Sequence, residues 1–153
     1  MKFIMNLWPP AEKYFDEITK DLSKSYDIID IKDFEIKDKD EFKSVIRDIF
    51  LIDGAREETI KLKIQRFANQ VREDGYIQRR IAFEIPEPKF RPRGDGKPIC
   101  TQTEDLKKKY RGGYKDKIDN YVYDVIIHIG DNFKQTCELE HLFSKLDGKN
   151  VKC

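Results

Sequence analysis

The chain has 153 residues, of which 30 are basic and 29 are acidic, so its formal net charge is +1 at pH 7. This near-neutral charge excludes a global electrostatic field that would draw the protein onto nucleic acid or a membrane surface. The length suits one domain with a substantial core, and no apolar run reaches membrane-spanning length.

The first half of the sequence predicts a strand, a helix, a second strand and two further helices. The apolar segment 3–8 is the first strand, and apolar residues at helical spacing continue from Ala11 to about Ser23. The second strand spans 27–36, where the change of parity near Lys32 and Asp33 predicts a bulge. The two helices that follow begin at a cap formed by Asp38 or Asp40 and end before residue 74.

The second half predicts a strand at 76–85, followed by a long segment that shows no periodicity. This segment, 86–103, is rich in Pro, Gly and basic residues and is expected to be an irregular loop that is functional or mobile. A short helix at 104–110 follows, and its glycine-rich end leads to an apolar strand within 121–129. The last helix begins near Phe133, with Phe133, Leu139, Leu142, Phe143 and Leu146 as its apolar positions.

Strands separated by helical segments predict an α+β sandwich in which helices pack on a small sheet. Counting the two middle helices as one crossover gives the order βαββαβ, which is that of the ferredoxin-like fold. The predicted domain covers 1–146, and 147–153 is a polar tail.

His128 is the most informative single residue, because it falls near the end of the apolar strand within 121–129. That strand is expected to be central in the sheet and buried on both faces. Gly130 closes it, and Asp131 or Asn132 can cap the next helix. An imidazole beside a helix N-terminus is well placed to meet an anionic phosphate.

The order of elements and two short motifs resemble nucleoside diphosphate kinase. The run Arg111-Gly112-Gly113-Tyr114 is similar to that family's Arg-Gly-Asp-Phe motif. The run Ile126-Ile127-His128-Ile129-Gly130-Asp131 is similar to its Asn-x-x-His-Gly-Ser-Asp strand, whose histidine takes the phosphate. The resemblance therefore implies a nucleotide-binding phosphotransferase that works through a phosphohistidine at His128.

The resemblance also assigns expected roles to several other side chains. It implies phosphate and nucleotide binding by Arg111 and by the basic loop, and supporting roles for two carboxylates near His128. The loop residues are Arg91, Arg93 and Thr101, and the carboxylates are Asp131 and Glu138. The family uses Mg²⁺ held largely by the nucleotide phosphates, so no protein metal site is expected.

Two departures from the family pattern affect this expectation. The family's active-site lysine falls near Leu7 or Trp8, and its asparagine is replaced by Val125. The missing lysine predicts weaker catalysis, another phosphoryl donor, or binding without turnover. A second hypothesis is therefore a nucleotide-binding or regulatory module, and a third is a nucleic-acid or protein interaction domain that uses the basic loop 89–97 with Phe90.

The expected partner is a nucleoside triphosphate or another phosphorylated small molecule, with no membrane contact, and a homo-oligomer remains open. The odd number of cysteines, Cys100, Cys137 and Cys153, without CxxC spacing predicts free thiols in a reducing compartment, and hence a cytoplasmic protein. Trp8 is expected in the core, and the Lys107-Lys108-Lys109 run on a solvated helix face.

Overall fold

A four-stranded antiparallel sheet lies at the centre of this α+β structure. The structure is a computed structural model, and it describes residues 1–68, 75–119, 121 and 126–149. The described strands are β1 (Lys2–Leu7), β2 (Asp27–Ile36), β3 (Tyr76–Glu84), β4 (Phe90–Pro92), β5 (Pro98–Cys100) and β6 (Ile127–Ile129). The described helices are α1 (Phe15–Ser23), α2 (Lys39–Ile52), α3 (Glu57–Ala68), α4 (Thr101–Tyr114) and α5 (Phe133–Leu146), and a 3₁₀ segment at Pro9–Tyr14 precedes α1.

The strand order in the sheet is β2-β3-β1-β6, and each neighbouring pair is antiparallel. This arrangement confirms the predicted mixture of helices and an antiparallel sheet, and it is compatible with the ferredoxin-like class. The helices α2 and α3 are inserted between β2 and β3, and β4 and β5 form a separate hairpin.

Helices cover both faces of the sheet. Asn6 lies opposite Arg80 on β3 and His128 on β6, so these three side chains share one face. Since Phe34 of β2 on this face contacts Phe143 of α5, with ring centroids 5.4 Å apart, we call it the α5 face. The opposite face carries α1 and is called the α1 face.

Trp8 anchors the core on the α5 face, as the sequence predicted. Its ring is fully buried, and its centroid lies 6.2 Å from Phe42, 6.0 Å from Phe50 and 5.2 Å from Phe67. These partners come from α2 and α3, so the aromatic cluster fixes the helical pair against the end of β1.

The prediction of an irregular loop over 86–103 is wrong from residue 90 onward, because the structure has a hairpin at 90–100 and α4 begins at Thr101. Phe90 pairs with Cys100 and Pro92 with Pro98 to form the β4–β5 hairpin, whose turn is closed by a 2.8 Å hydrogen bond from the Gly96 nitrogen to the Arg93 carbonyl. The hairpin shows no apolar alternation because all three residues of its first strand are exposed, and Pro is tolerated in such edge positions.

The helix α4 is longer than predicted, since it begins at Thr101 and includes Gly112 and Gly113. The two glycines were expected to end the helix. Tyr110 and Tyr114, one turn apart, are both buried, and their packing outweighs the low helix propensity of the glycines between them.

The strand β6 is an edge strand, so the prediction of a central strand is wrong. The described strand covers only the last three residues of the predicted one, and 122–125 lie outside the described residues. Ile127, His128 and Ile129 are buried because helices lie over both faces of the sheet, which produces the same apolar run that a central strand would show.

Two smaller predictions are wrong. The bulge in β2 lies between Ile28 and Asp30 rather than near Lys32 and Asp33. Phe133, predicted on the inner side of α5, is 72% exposed because it occupies the first position of that helix.

Cys100 is a buried free thiol, as predicted, whereas Cys137 is disulfide-bonded, so the free-thiol prediction is wrong for that residue. Cys153 and Val71, an apolar position predicted in the third helix, lie outside the described residues. Within the described part of the chain, no helix is long and apolar enough to cross a membrane.

Candidate functional site

His128 is covered by the core rather than open to solvent. It is the middle residue of β6, it pairs in register with Asn6 of β1, and only 3% of its surface is exposed. The Phe50 ring of α2 lies edge-on to the imidazole, with centroids 6.2 Å apart and planes at 74°. In this conformation the ring is therefore shielded by α2.

A row of polar side chains crosses three strands beneath α2. The row consists of Gln78 on β3, Asn6 on β1 and His128 on β6, and the first two are fully buried. The Gln78 Nε2 atom donates a hydrogen bond of 2.5 Å to Asn6 Oδ1. We call these residues the polar row.

The polar row has unused hydrogen-bonding capacity. Asn6 Nδ2, Gln78 Oε1 and the nearby Trp8 Nε1 are buried and have no hydrogen-bond partner among the described residues. An unsatisfied buried polar group costs about 1–3 kcal/mol, so such atoms in a folded protein are usually paired with an ordered water or an ion. Three of them on one face indicate a place that suits a small polar species such as water.

A second polar cluster lies where β6 ends. The Asp131 side chain is 5% exposed and forms an ion pair with Lys107 of α4, whose side chain is 11% exposed. Arg93 of the β4–β5 hairpin approaches the other carboxylate oxygen of Asp131 at 3.4 Å. The structure thus brings together two predicted site residues, Arg93 and Asp131, around a lysine that was expected on a solvated face.

The hairpin also lies beside the turn between α2 and α3. A Cβ at Gly54 would lie 3.7 Å from the Lys97 ammonium. The pKa of Arg93 is raised mainly by its hydrogen bond to Asp95 and further by the charge of Asp53. Arg93 donates to Asp95 at 2.8 Å and lowers the pKa of that carboxyl to about 2. The hairpin cations therefore lie along the edge of the helical pair that covers His128.

The other predicted loop residues are turned to α4 or to the hairpin itself. Both ends of the Arg91 guanidinium bind Glu104 of α4, at 2.9 and 2.5 Å. Thr101, the first residue of α4, uses its backbone nitrogen and its hydroxyl to contact the Lys89 carbonyl, at 2.8 and 3.4 Å. These contacts hold the hairpin against α4 and do not bring either side chain to His128.

Arg111 lies on the open side of β6. Its guanidinium donates to the Ile127 carbonyl at 3.3 Å, and this carbonyl points away from β1 because the neighbouring residue Ile126 bonds to Trp8. Such a contact satisfies the outer edge of a terminal strand. Glu138 is half-buried in α5, where the next acidic residue, Glu140, binds Lys2.

Sequence reasoning missed Asn6, Gln78 and Lys107. The only indication for Asn6 in the sequence was its position as the single polar residue of the apolar segment 3–8. Lys107 stands in a run of three lysines, of which only this one is buried, and helical spacing from Leu106 and Tyr110 does not separate it from its neighbours.

The carboxylates of the site do not fit a protein-held magnesium ion, because Asp131 and Asp95 are both occupied by cationic side chains. In the described part of the chain, no group of three or more His, Cys, Asp or Glu side chains could hold a metal.

Comparison with protein-family models gives no match for this chain, and comparison with curated proteins gives none either.

Proposed function

We propose that the chain is a nucleotide-binding module that resembles nucleoside diphosphate kinase in the order of its elements. The phosphates lie between the β4–β5 hairpin and the end of β6, and His128 is covered, so the module binds nucleotide without turnover while α2 stays in place. The observation that carries this proposal is the buried polar row under α2, in which Asn6 and Gln78 each have one polar atom without a partner among the described residues, together with the cations Arg93 and Lys107 at the end of β6.

The hairpin cations can exchange their present partners for a phosphate at little cost. The Arg93–Asp95 pair is about a third exposed on both sides, and exposed ion pairs contribute only about 0–1 kcal/mol. Arg93 presents a planar fork of donors that matches phosphate, and Lys97 adds a second, largely exposed charge. An incoming triphosphate would therefore compete with Asp95 for both cations.

Phosphoryl transfer is the second candidate activity, and it requires a change of conformation. The nucleophile must reach the γ-phosphorus in line, and catalysis depends on positioning and positive charge. The imidazole is 3% exposed and Phe50 stands beside it, while the residue opposite it on β1 is the neutral Asn6. Displacement of α2 would be needed before a phosphohistidine could form.

The nucleic-acid alternative has less support, because a nucleic-acid strand needs an extended basic surface. Arg91, one of its two principal contact residues, is bound by Glu104 through two hydrogen bonds, which leaves Arg93 and Lys97 as the exchangeable cations of the hairpin. Phe90 remains 44% exposed.

Thermal denaturation with and without ATP tests the binding proposal. A ligand at 100 times its Kd adds about 2.7 kcal/mol to the stability of the folded state. For a chain of this length this corresponds to a rise in Tm of about 5–10 °C. We expect this rise in the wild type and in Arg91→Ala, the matched control on the same hairpin, and a loss of most of it in Arg93→Ala. A wild-type Tm that ATP leaves unchanged would refute nucleotide binding.

Incubation with γ-labelled ATP tests the transfer activity separately. The chain has two histidines, so His141→Ala is the natural control for His128→Ala. The binding-only proposal expects no acid-labile label in any of the three proteins. Label in the wild type and in His141→Ala that is lost in His128→Ala would replace it with the phosphotransferase.

A further inference from the structure

A second basic site lies between α1 and α4. The two helices are joined there by Asp21 of α1, which accepts hydrogen bonds from Lys109 at 2.5 Å and from the Tyr110 hydroxyl at 2.9 Å. Beside this contact is a groove of about 410 Å³ with Gly113 and Tyr114 on its α4 side. We call it the α1–α4 groove.

The groove carries more cations than carboxylates. Four lysines and two acidic residues line it, an excess of two positive charges: the lysines are Lys20, Lys24, Lys109 and Lys117, and the acidic residues are Glu17 and Asp21. The hydrogen bond from Lys109 is the largest cause of a lowered pKa for Asp21. Asp21 is therefore ionised and already occupied by its two α4 partners.

The remaining three lysines are only weakly neutralised. Lys24 reaches Asp21 at no closer than 4.0 Å, and Lys20 forms no ion pair with a described carboxylate. The Lys117 ammonium lies over the Tyr114 ring, 5.0 Å from its centroid. The cations of the β4–β5 hairpin differ in this respect, because Arg91 and Arg93 are each held by a carboxylate.

The floor of the groove is preformed and neutral. Tyr114 is 8% exposed, and burial is the largest cause that raises the pKa of its hydroxyl to about 12. Lys20 and Lys24 are one helical turn apart, so both project from the same side of α1. The groove therefore has a fixed wall whose hydroxyl is neutral, and Glu17, which bonds to that hydroxyl, is the carboxylate in the lining that remains beside these three lysines.

We propose that the α1–α4 groove binds a phosphorylated small molecule whose phosphate groups are held by Lys20, Lys24 and Lys117. Its volume falls within the roughly 300–1,000 Å³ typical of small-molecule sites. A phosphate ester carries about two negative charges at pH 7, which matches the excess charge of the groove. The site is on the α1 side of the sheet and does not depend on nucleotide binding near His128.

A titration with pyrophosphate, followed by NMR of backbone amides, tests this proposal. Gly113 lies in the groove, whereas Gly94 and Gly96 lie in the hairpin turn, so their amides report on the two places separately. We expect pyrophosphate to shift the Gly113 resonance of the wild type. We expect the triple variant Lys20→Ala/Lys24→Ala/Lys117→Ala to bind pyrophosphate at least about tenfold more weakly, because hydrogen bonds to charged groups contribute strongly to the binding free energy.

The matched control is Lys37→Ala/Lys39→Ala/Lys108→Ala, which removes the same charge from exposed positions outside the groove. Circular dichroism of both triple variants is expected to show unchanged folding, because all six lysines are exposed. Equal weakening in the control, or shifts confined to Gly94 and Gly96, would overturn the proposal. Tighter binding of a single-stranded oligonucleotide than of pyrophosphate, through the same three lysines, would overturn the small-molecule class.

Discussion

The buried pair of Lys107 and Asp131 offers the sharpest test of how the end of β6 is held. Neither side chain is more than 11% exposed, and Arg93 also forms an ion pair with the carboxylate, at 3.4 Å. Removing one member of such a pair leaves a buried charge uncompensated, which typically costs about 3–5 kcal/mol. The two single substitutions should nevertheless differ.

Asp131→Asn is expected to be the more damaging change. It leaves Lys107 without a carboxylate, while Arg93 keeps Asp95, so the loss should fall in the full range of about 3–5 kcal/mol. In Lys107→Met the carboxylate retains Arg93, and the loss should be about 2 kcal/mol, the value of one hydrogen bond to a charged group. The double variant leaves neither charge buried without a partner. It should therefore be more stable than the sum of the two single losses predicts, with a coupling energy of about 2–3 kcal/mol.

Urea denaturation followed by the fluorescence of Trp8, the single tryptophan, measures these free energies of unfolding. The exposed pair Arg91–Glu104 provides a parallel cycle, for which the coupling should stay below about 1 kcal/mol. If the effects at Lys107 and Asp131 add within about 0.5 kcal/mol, the pair is not a coupled buried ion pair and the account of this site fails.

Three further predictions concern local structure. Gly130→Ala should destabilise the fold by about 1–3 kcal/mol, because the new Cβ would lie 3.1 Å from a backbone nitrogen of α5. Gly112→Ala should stabilise α4 by about 0.5–1 kcal/mol, because a Cβ at Gly112 would meet no other atom within 4 Å. Equal effects of the two substitutions in urea denaturation would contradict this. Asp38→Ala should cost about 1 kcal/mol in the same assay, since the Asp38 side chain accepts from the first turn of α2 at 2.7 Å; no loss would contradict the cap. The pKa of Asp21 is lowered in the folded state, mainly by Lys109, so its ionised form stabilises the fold fully above the usual pKa of 3.8, and this stabilisation is lost as the pH falls through the lower folded value. The free energy of unfolding of Asp21→Asn should therefore differ from that of the wild type at neutral pH and converge with it in acid. A difference that stays constant across the pH range would reject this linkage.

Periodicity in the sequence predicts the interior of the elements well. The inner positions of α2 follow helical spacing and are all buried, and Asp38 caps that helix as one of the two expected residues. The position of β6 at the edge was not predictable in this way, because burial on two faces produces an apolar run whether or not a strand has two neighbours. The hairpin at 90–100 was not predicted because the three residues of its first strand are all exposed, so no buried face produces a pattern in the sequence.

The site was only partly predictable, because its contacts join distant parts of the chain. His128 was recognisable as an imidazole at the end of an apolar strand, but its burial depends on Phe50 from another element. The bond between Gln78 and Asn6 spans 72 positions in sequence, and Lys107 meets Asp131 across 24. Neither distance produces a local pattern, so these partners could be found only from the fold.

The two proposed sites make opposite demands on charge, and this determines how a binding result should be interpreted. Near His128, a phosphate must displace carboxylates such as Asp95 that already neutralise the cations. In the α1–α4 groove, lysines such as Lys20 need no such exchange. If ATP still stabilises Arg93→Ala but no longer stabilises the variant that lacks Lys20, Lys24 and Lys117, the nucleotide binds on the α1 side. The polar row would then be a structural feature of the sheet, with no part in binding nucleotide.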